Sequence, residues 1–336
     1  MDDLDRRAAA LHDDALVWDS HVCLPLHPDA DLGALERHHA SGVDFVSINV
    51  GMDMNPLPQI MQTLASFRAQ LRAHPERFVA VADASDVLRA KAEGKLAVAF
   101  DLEGGVPLGE RPEMVQLFYD LGVRQIHLVY NRNNAIGGGC YDDDVPLSDL
   151  GRRIVSAINA AGMLMDCSHA GYRTSMDIMA LSASPVIYSH ANPLALAAIG
   201  RNIRDEQIDA CVATGGVVCV NGVGRLLGDE GAGTAAILRH IDYLVQRVGA
   251  DHVGLGIDYE YDLGLDQNPP GYDAAYWFPP AHGYGGTPMG IAAPEQIPEI
   301  TRGLLAMGYA ESDVRKILGQ NMLALAQRVW RPRAPT

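Results

Sequence analysis

One pattern recurs along this chain: a short apolar run is followed by a segment with helical spacing. Eight such runs, each with a polar residue at or next to its end, occupy 15–21, 42–50, 95–103, 122–130, 162–169, 184–190, 215–221 and 251–258. Apolar runs that alternate with amphipathic helices are typical of a parallel sheet covered on both faces, and eight units favour closure into a barrel. We therefore predict an α/β fold, a (β/α)₈ barrel of the TIM type, with a doubly wound open sheet as the alternative. The run at 77–83 could be an extra strand.

The two ends of the chain and one internal segment depart from this repeat. The first roughly 15 residues predict a helix, and the tail after 294 predicts two or three C-terminal helices separated at Gly308 and Gly319. Residues 262–295 are rich in Gly, Pro and aromatic residues without helical or strand period, which predicts a long ordered loop of the kind that is often functional. The sequence shows no domain boundary, so we expect one domain over residues 1–336.

Charge and cysteine content exclude some classes of partner. The formal net charge of −16 argues against nucleic acid and anionic membrane surfaces. No apolar stretch reaches the roughly 18 to 20 residues of a membrane span, and the acidic start MDDLDRRAAALHDD is unlike a secretory signal. The five cysteines are odd in number and lack CxxC spacing, which favours reduced thiols. We expect a cytoplasmic protein that acts on a small molecule and binds neither nucleic acid nor membrane.

The polar residues that end the eight runs are the candidate site. In a barrel, these ends converge on one face, where active sites form. The residues are His21, Asn49, Glu103, Tyr130, His169, His190, Asn221 and Asp258. Three neutral imidazoles and two carboxylates suit a divalent metal such as Zn²⁺, because together they offset the cost of holding a dication out of water.

Each of these histidines also has a structural interpretation, since a single strand-end histidine often caps a loop. It is the convergence of five ligand-type residues that favours a metal site. His127, in mid-strand, is interpreted as structural, and His282, in the long loop, as a residue that could reach a substrate. The remaining histidines lie in helix or loop contexts and are predicted to be surface residues: His12, His27, His38, His39, His74, His240 and His252.

Six motifs in order resemble the renal (membrane) dipeptidase family of zinc peptidases, family M19, over nearly the whole chain. They are DSHVCLP (19–25), LEGG (102–105), PLSDLGRRIVSAINAAGMLMDCSH (146–169), YSHAN (188–192) with RN at 201–202, GLGIDYEYD (254–262) and DVRKILGQNMLAL (313–325). The longest, which ends in D-x-SH, is the most specific.

The resemblance implies a fold, a metal centre and an activity. It implies a (β/α)₈ metal-dependent hydrolase barrel with zinc, in which His21 binds a first ion, Glu103 bridges, and His169 and His190 bind a second. It places a substrate-carboxylate arginine at Arg201 and the catalytic aspartate at Asp258; without it, Arg201 is a surface residue and Asp258 a loop cap. It also suggests a homodimer.

Two departures from the family pattern affect this implied site. The family's His-x-Asp pair is His21-x-Cys23 here. Thiolate carries the same charge as carboxylate but is softer, so Cys23 could ligate one zinc or another metal, mark a weakened first site, or be a buried cysteine without a role. Tyr130 stands where the family has a substrate-contacting histidine; it can donate a hydrogen bond but does not become a cation.

These observations predict a metal-dependent dipeptidase. A metal-activated water would attack the scissile carbonyl, Asp258 would accept or relay its proton, Tyr130 would assist at the carbonyl, and Arg201 would bind the substrate carboxylate. One alternative is hydrolysis of another amide, such as an N-acyl amino acid or a cyclic amide. Another is a family member that has lost metal and catalysis and serves as a binding module. The number of ions, one or two, stays open.

Overall fold

The computed structural model describes residues 2–286 and 289–331. In this part of the chain the strands are Trp18–Cys23 (β1), Phe45–Met52 (β2), Phe78–Ala80 (β3), Leu96–Glu103 (β4), Val123–His127 (β5), Leu164–Asp166 (β6), Val186–Tyr188 (β7), Val217–Val220 (β8), Val253–Leu255 (β9) and Tyr259–Glu260 (β10). Each of the eight predicted runs contains all or most of one strand. The runs begin before the first residue that the structure assigns to the strand.

All strand pairs are parallel, and their order closes the sheet. The order is β10-β1-β2-β4-β5-β6-β7-β8-β9, with β3 paired to β4 as an additional strand. The segment from β9 to β10 pairs with β8 through Val253 and with β1 through Tyr259, so it joins the two ends of the sheet. The fold is therefore the predicted TIM-type barrel and not the open doubly wound sheet.

Helices follow most strands and surround the barrel. They are Asp3–Asp14 (α1), Glu36–Ala40 (α2), Leu57–Ala73 (α3), Ala84–Ala92 (α4), Met114–Asp120 (α5), Asp149–Ala161 (α6), Tyr172–Leu181 (α7), Asp205–Ala213 (α8), Gly224–Leu227 (α9), Thr234–Val248 (α10), Ala274–Trp277 (α11), Ile297–Ala306 (α12), Glu311–Arg315 (α13) and Asn321–Val329 (α14). Among the described residues, none of these helices is long and apolar enough to cross a membrane.

The C-terminal helices follow the prediction except at Gly319. Gly308 lies between α12 and α13, as expected. Gly319 lies within a π-helical turn, Lys316–Gln320, that continues α13 into α14, so it does not separate two helices. A Cβ atom at Gly319 would lie 2.5 Å from the Leu16 carbonyl oxygen. Gly319 therefore allows the π-helical turn to approach the start of β1 closely. In the sequence alone, a glycine needed for this reason cannot be distinguished from one that ends a helix.

Alternate strand residues belong to two separate apolar clusters. Val98 and Phe100 of β4 pack in the large cluster shared with the surrounding helices, whereas Ala97 and Ala99 belong to a second cluster. The second cluster fills the lower interior of the barrel, where Trp18 stacks on Phe45 at 3.6 Å. Residues of α14 complete that cluster. The barrel is thus plugged at one end by apolar side chains, which leaves its opposite end for polar groups.

Candidate metal centre

Glu103 lies at the centre of the polar end of the barrel. On β4 the inward positions read Ala97, Ala99, Asp101 and Glu103, so the interior changes from apolar to acidic towards the carboxyl end of the strand. The Glu103 side chain is almost fully buried, and the Asn49 amide donates to its Oε2 at 2.6 Å. One carboxylate oxygen, Oε1, therefore remains to face the neighbouring strands.

Three histidines, one from β1 and one each from the loops that follow β6 and β7, direct their Nε2 atoms at Glu103 Oε1. The distances are 3.0 Å from His169, 3.4 Å from His21 and 3.5 Å from His190. The two Nε2 atoms of His169 and His190 lie 2.9 Å apart. The barrel thus brings together the four residues that the sequence placed at the ends of its first, third, fifth and sixth predicted runs.

The opposite nitrogen of each of these histidines faces an oxygen atom. His21 Nδ1 lies 3.3 Å from Asp101 Oδ1, and Asp101 in turn accepts a 2.6 Å hydrogen bond from Ser47. His169 Nδ1 lies 2.7 Å from the amide oxygen of Asn131, and His190 Nδ1 lies 2.7 Å from the hydroxyl of Ser189. In the neutral imidazoles of His169 and His190 these contacts favour a proton on Nδ1, which leaves their Nε2 lone pairs towards Glu103, as in metal-ligating histidines.

His127 is a fourth histidine in the same cluster, although the sequence interpretation placed it outside the site. Its Nε2 lies 2.7 Å from Asp166 Oδ2, and its Nδ1 lies 3.7 Å from Glu103 Oε1. A signal for Asp101 was present in the sequence, two residues before Glu103 on the same strand face. Asp166 is the aspartate of the D-x-SH motif, so the sequence also marked it, although not as a partner of a histidine. For His127 there was no signal, because strands buried on both faces show no alternation of apolar and polar residues.

Cys23 and Asp258 complete the rim of the cluster. Cys23 Sγ lies 3.4 Å from His21 Nε2 and 4.0 Å from Asp258 Oδ1. Asp258 Oδ1 is also 3.7 Å from His21 Nε2, while its Oδ2 accepts a 2.9 Å hydrogen bond from Asn221. Ser20 and His21 lie at an irregularity in the pairing of β1 with β2, which brings His21 as well as Cys23 to the site.

Three residues around the site have left-handed backbones without being glycine. They are His169, Asn131 and Asp258, with φ of 65°, 58° and 58°. Such conformations are uncommon for residues with a Cβ atom and persist where the surroundings hold them. Here His169 and Asn131 hold each other through their side chains. The backbone is therefore shaped to present these side chains to the cluster.

Burial has the largest effect on the pKa values of Glu103, His169 and His190. It raises the pKa of Glu103 to about 7, although His21 and His127 act in the opposite direction. It lowers the pKa of His169 and His190 well below the usual value, and the positive Arg201 adds to this. Both imidazoles are therefore neutral near pH 7 and able to donate a lone pair.

Two groups are controlled by a specific partner as well as by burial. Burial lowers the pKa of His21, but Asp101 and Glu103 outweigh it and raise that pKa above the usual value. Burial raises the pKa of Asp166, but His127 and the hydrogen bonds outweigh it and lower the pKa to about 2. Burial also raises the pKa of Cys23 and of Asp258. The Cys23 thiol therefore has to lose its proton before its sulfur can bind a cation.

The donor atoms fit a divalent cation. Among the described residues, four groups of His, Cys, Asp and Glu have ligand atoms within 4.8 Å of one another, and Glu103, His21, His127 and His190 each belong to two. The Nε2 lone pairs of His169 and His190 lie close together beside Glu103 Oε1. A cation bound to these atoms would remove the repulsion between their lone pairs. Buried imidazole, carboxylate and thiol are the donors that zinc and similar ions prefer.

A cavity of about 240 Å³ opens directly above this cluster. Glu103, His169, Cys23 and Asp258 form part of its floor, and the other lining residues include Arg201, Tyr130, Met52, Leu26, Glu260, Tyr272, Phe278 and Tyr284. Arg201 is almost fully buried, and its Nη2 donates to the His190 carbonyl oxygen at 3.1 Å. A guanidinium and an acidic cluster therefore share one small cavity.

The predicted substrate contact His282 does not line this cavity. Its ring stacks on Tyr141 at 4.5 Å, and the hydroxyl of Tyr141 pairs with that of Tyr284 at 2.7 Å. The segment 262–295 was predicted to lack secondary structure but contains the short helix α11 and a 3₁₀ turn at Pro280–His282. His282 therefore lies behind Tyr284, whereas Tyr272, Phe278 and Tyr284 are aromatic residues of this segment that line the cavity.

Three histidines predicted at the surface are buried instead. His12 bonds Thr301 and the Ser41 carbonyl oxygen, and His240 bonds the Leu227 carbonyl oxygen. His38 lies 2.6 Å from the Tyr261 hydroxyl and 3.3 Å from Asp19 Oδ2. Helix periodicity did not show this burial, because tertiary packing and not helical position covers these rings.

Comparison with known proteins places the chain in a family. The family model for membrane dipeptidase, peptidase family M19, matches residues 6–279. A dipeptidase from Claviceps purpurea, tcpJ, is 28% identical over 322 residues; the match covers 94% of this chain and 66% of that protein, just under two thirds of its length. A Klebsiella pneumoniae protein encoded 5′ of pqqA is 28% identical over 82% of this chain and 98% of its own length.

Solved structures agree with the fold. An amidohydrolase from Pseudomonas aeruginosa is 27% identical with a TM-score of 0.85, over 96% of this chain and 99% of that one. A metallo peptidase from Rhodobacter sphaeroides, solved with a phosphinate mimic of the dipeptide L-Ala-D-Ala, has the same fold at 22% identity and a TM-score of 0.76, over 94% and 100% of the two chains. With its fold, its histidine–glutamate cluster and a family match over most of its length, the chain belongs to the membrane dipeptidase family, peptidase family M19.

Proposed function

We propose that this protein is a metal-dependent dipeptidase. The observation that carries the proposal is one carboxylate oxygen, Glu103 Oε1, surrounded at 3.0 to 3.5 Å by three histidine nitrogens in a cavity that also exposes the Arg201 guanidinium. A metal cluster beside a fixed positive charge suits a short peptide whose terminal carboxylate lies close to the bond that is cut.

His21, Glu103, His169 and His190, with Cys23, would hold one or two divalent ions, and we propose zinc. A cation bound there supplies Lewis acidity, which polarises a carbonyl group and lowers the pKa of water to about 7. The remaining chemistry belongs to side chains of the chain itself.

Three side chains have distinct roles in this proposal. Arg201 uses one nitrogen on the His190 carbonyl oxygen and has further donors for a substrate carboxylate. Asp258 is oriented by Asn221 through Oδ2, so its Oδ1 is directed at the cluster to accept or relay a proton. Tyr130 is buried against His169, with ring centroids 4.4 Å apart, and its burial raises the pKa of its hydroxyl. Tyr130 therefore stays protonated and can donate to a carbonyl oxygen.

The test is hydrolysis of a dipeptide panel by the metal-loaded protein. The panel includes peptides with an L- or a D-residue at the C-terminus, each matched to its C-terminal amide. We expect turnover of free-acid dipeptides that a chelator abolishes, and loss of about 10²-fold in kcat in Asp258→Asn with unchanged metal content. Arg201→Ala should raise KM for the free acids but not for the amides. Full activity of Glu103→Ala and Asp258→Asn would contradict the proposal.

A second candidate is hydrolysis of another amide. Two observations favour it: Cys23 and Tyr130 replace residues of the family pattern, and the 27% identical Pseudomonas protein is described as an amidohydrolase. N-acyl amino acids contain a carboxylate and an amide bond, and cyclic amides contain an amide bond, so the same cavity offers partners for both classes. Turnover of these compounds without turnover of any dipeptide would favour this candidate.

Two further parts of the proposal concern the whole protein. We propose a homodimer in the cytoplasm that binds neither nucleic acid nor membrane. A binding module without catalysis is the contrary case. That contrary case would be supported by purified protein that holds fewer than about 0.2 equivalents of any transition metal and whose affinity for dipeptides does not rise when metal is added.

A further inference from the structure

His127 occupies the same layer of the barrel as the proposed metal ligands. It is the last residue of β5, and its Cα is paired in register with Glu103 on β4 and with Asp166 on β6. Side chains of residues in register on neighbouring strands point to the same face. His127 is fully buried. Besides Glu103 and Asp166, its ring lies near the Ser189 hydroxyl, 3.4 Å from Nε2, and near the rings of His21, His169 and His190.

One ring nitrogen of His127 is used and the other is not. Nε2 lies 2.7 Å from Asp166 Oδ2. The other oxygen of Asp166 accepts hydrogen bonds from the backbone N–H groups of Ser168 and Ser189, at 2.8 and 3.2 Å. A carboxylate in such surroundings only accepts hydrogen bonds, so the proton of a neutral His127 resides on Nε2. Nδ1 then carries a bare lone pair, and it has no hydrogen-bond partner among the described residues.

That lone pair points towards an acidic oxygen. Nδ1 lies 3.7 Å from Glu103 Oε1, and the two atoms form one ligand group together with His169. Two lone pairs that face each other in a buried site repel. A cation between them turns this repulsion into coordination, and donors on a tetrahedral zinc ion lie roughly 3.3 to 3.5 Å apart.

The same construction occurs at His21, which lies between Asp101 on one side and Glu103 on the other. A histidine held by a buried carboxylate is the usual support of a protein metal site. We propose that His127 is a metal ligand through Nδ1, shares an ion with Glu103 and His169, and is anchored by Asp166. The inference rests on the metal centre of the proposed function but not on the identity of the substrate.

The first experiment compares His127→Gln with His240→Gln. Glutamine at position 127 can still donate to Asp166 but offers no nitrogen at the place of Nδ1. His240 is a matched control, since it is buried on α10, has an unpartnered Nδ1 and belongs to none of the four ligand groups. The readouts are zinc equivalents per chain under chelator competition and the visible spectrum of the cobalt-substituted protein.

We expect His127→Gln to weaken the binding of one zinc ion by at least about 10-fold and to change the cobalt spectrum, while His240→Gln changes neither. Unchanged affinity and spectrum in His127→Gln would overturn the inference and leave His127 as a structural residue.

Should His127→Gln fail to fold, an anomalous-difference map of zinc-loaded wild-type crystals decides the question. A peak within about 2.3 Å of Nδ1 supports the ligand, whereas zinc ions that all lie beyond about 3 Å from it overturn the inference. A wild-type protein that binds no metal would instead remove the proposed function itself.

Discussion

Glu103, a proposed metal ligand, is a buried carboxyl group whose ionisation destabilises the folded chain. Burial raises its pKa from 4.5 to about 7, so the folded chain holds this proton more tightly than the unfolded chain does. Ionising Glu103 therefore costs stability. The cost is absent below about pH 4.5, grows between pH 4.5 and 7, and is complete above pH 7.

In the presence of a chelator we expect Glu103→Gln to be more stable than the wild type by about 3 kcal/mol at pH 8. The advantage should shrink as the pH falls towards 5. Urea denaturation at several pH values measures it. With saturating zinc the order should reverse, because only the carboxylate binds the cation. A difference that is constant with pH would show that Glu103 is not the titrating group.

Cys23 stands where the resemblance to the family implies an aspartate. Its sulfur lies beside His21 Nε2 and Asp258 Oδ1 at the rim of the cluster. Since thiolate is softer than carboxylate, we expect Cys23→Asp to lower the affinity for Cd²⁺ relative to Mn²⁺ by about 10-fold or more. Competition titrations measure the ratio. Cys140→Ser is the control, because Cys140 belongs to none of the ligand groups; an unchanged ratio in Cys23→Asp would show that the thiol is not a ligand.

At the level of elements, the barrel depends on the crossing between β9 and β10. Gly256 lies where this segment changes its pairing from β8 to β1, and a Cβ atom there would be 1.8 Å from the Ser189 carbonyl oxygen. The clash is with backbone next to His190, so no rotamer change relieves it. We expect Gly256→Ala to lose more than about 2 kcal/mol in urea denaturation and to bind zinc more weakly.

Gly286→Ala is the matched control for this substitution. Among the residues that the structure describes, a Cβ atom at Gly286 meets nothing within 4 Å, and the Gly286 backbone is not left-handed. Equal stability of the two alanine variants would contradict this account of the barrel closure.

The segment 262–295 forms an aromatic wall over the site. Phe278 lines the cavity and packs edge-on to Tyr130, with ring centroids 6.2 Å apart. The carbonyl oxygen of its neighbour Trp277 accepts a hydrogen bond from the side-chain amide of Asn131. We expect Phe278→Ala to raise KM for the best substrate by about 10-fold with a smaller effect on kcat, because the ring contributes binding surface and no chemistry.

Tyr276→Ala tests whether any loss of an aromatic ring has this effect. The Tyr276 side chain is largely exposed and does not line the cavity. Similar KM changes in both variants would assign the effect to the segment as a whole and not to Phe278.

The whole molecule unites an apolar barrel interior with a charged centre at one end. A cation bound to the folded chain stabilises it by mass action, by about 4 kcal/mol at a free concentration 1,000 times its Kd. We expect chelation to lower the melting temperature, and a single transition in both states if residues 1–336 form one domain. Calorimetry measures both. A metal-independent melting temperature would count against the centre, and two transitions would count against the single domain.

Much of the fold could be predicted because the β/α repeat is local. The eight apolar runs identify the eight positions around the barrel, and the extra run at 77–83 is β3. The lengths of the strands could not be predicted as well: the run 162–169 contains only Leu164–Asp166. Apolar residues continue beyond the residues that are hydrogen-bonded in the sheet. Hydrophobicity therefore indicates which residues are buried, but not which residues pair with a neighbouring strand.

From the sequence alone, His21, Glu103, His169 and His190 could be expected to meet, because carboxyl ends of parallel strands converge whatever their exact lengths. The folded structure was needed to show what holds each of them, which side chains line the cavity, and that His127 and Asp166 lie beside the cluster. The reason is that both faces of a barrel strand are buried. Without a solvent-exposed face there is no alternation to read, so the inward direction is set only when the sheet closes.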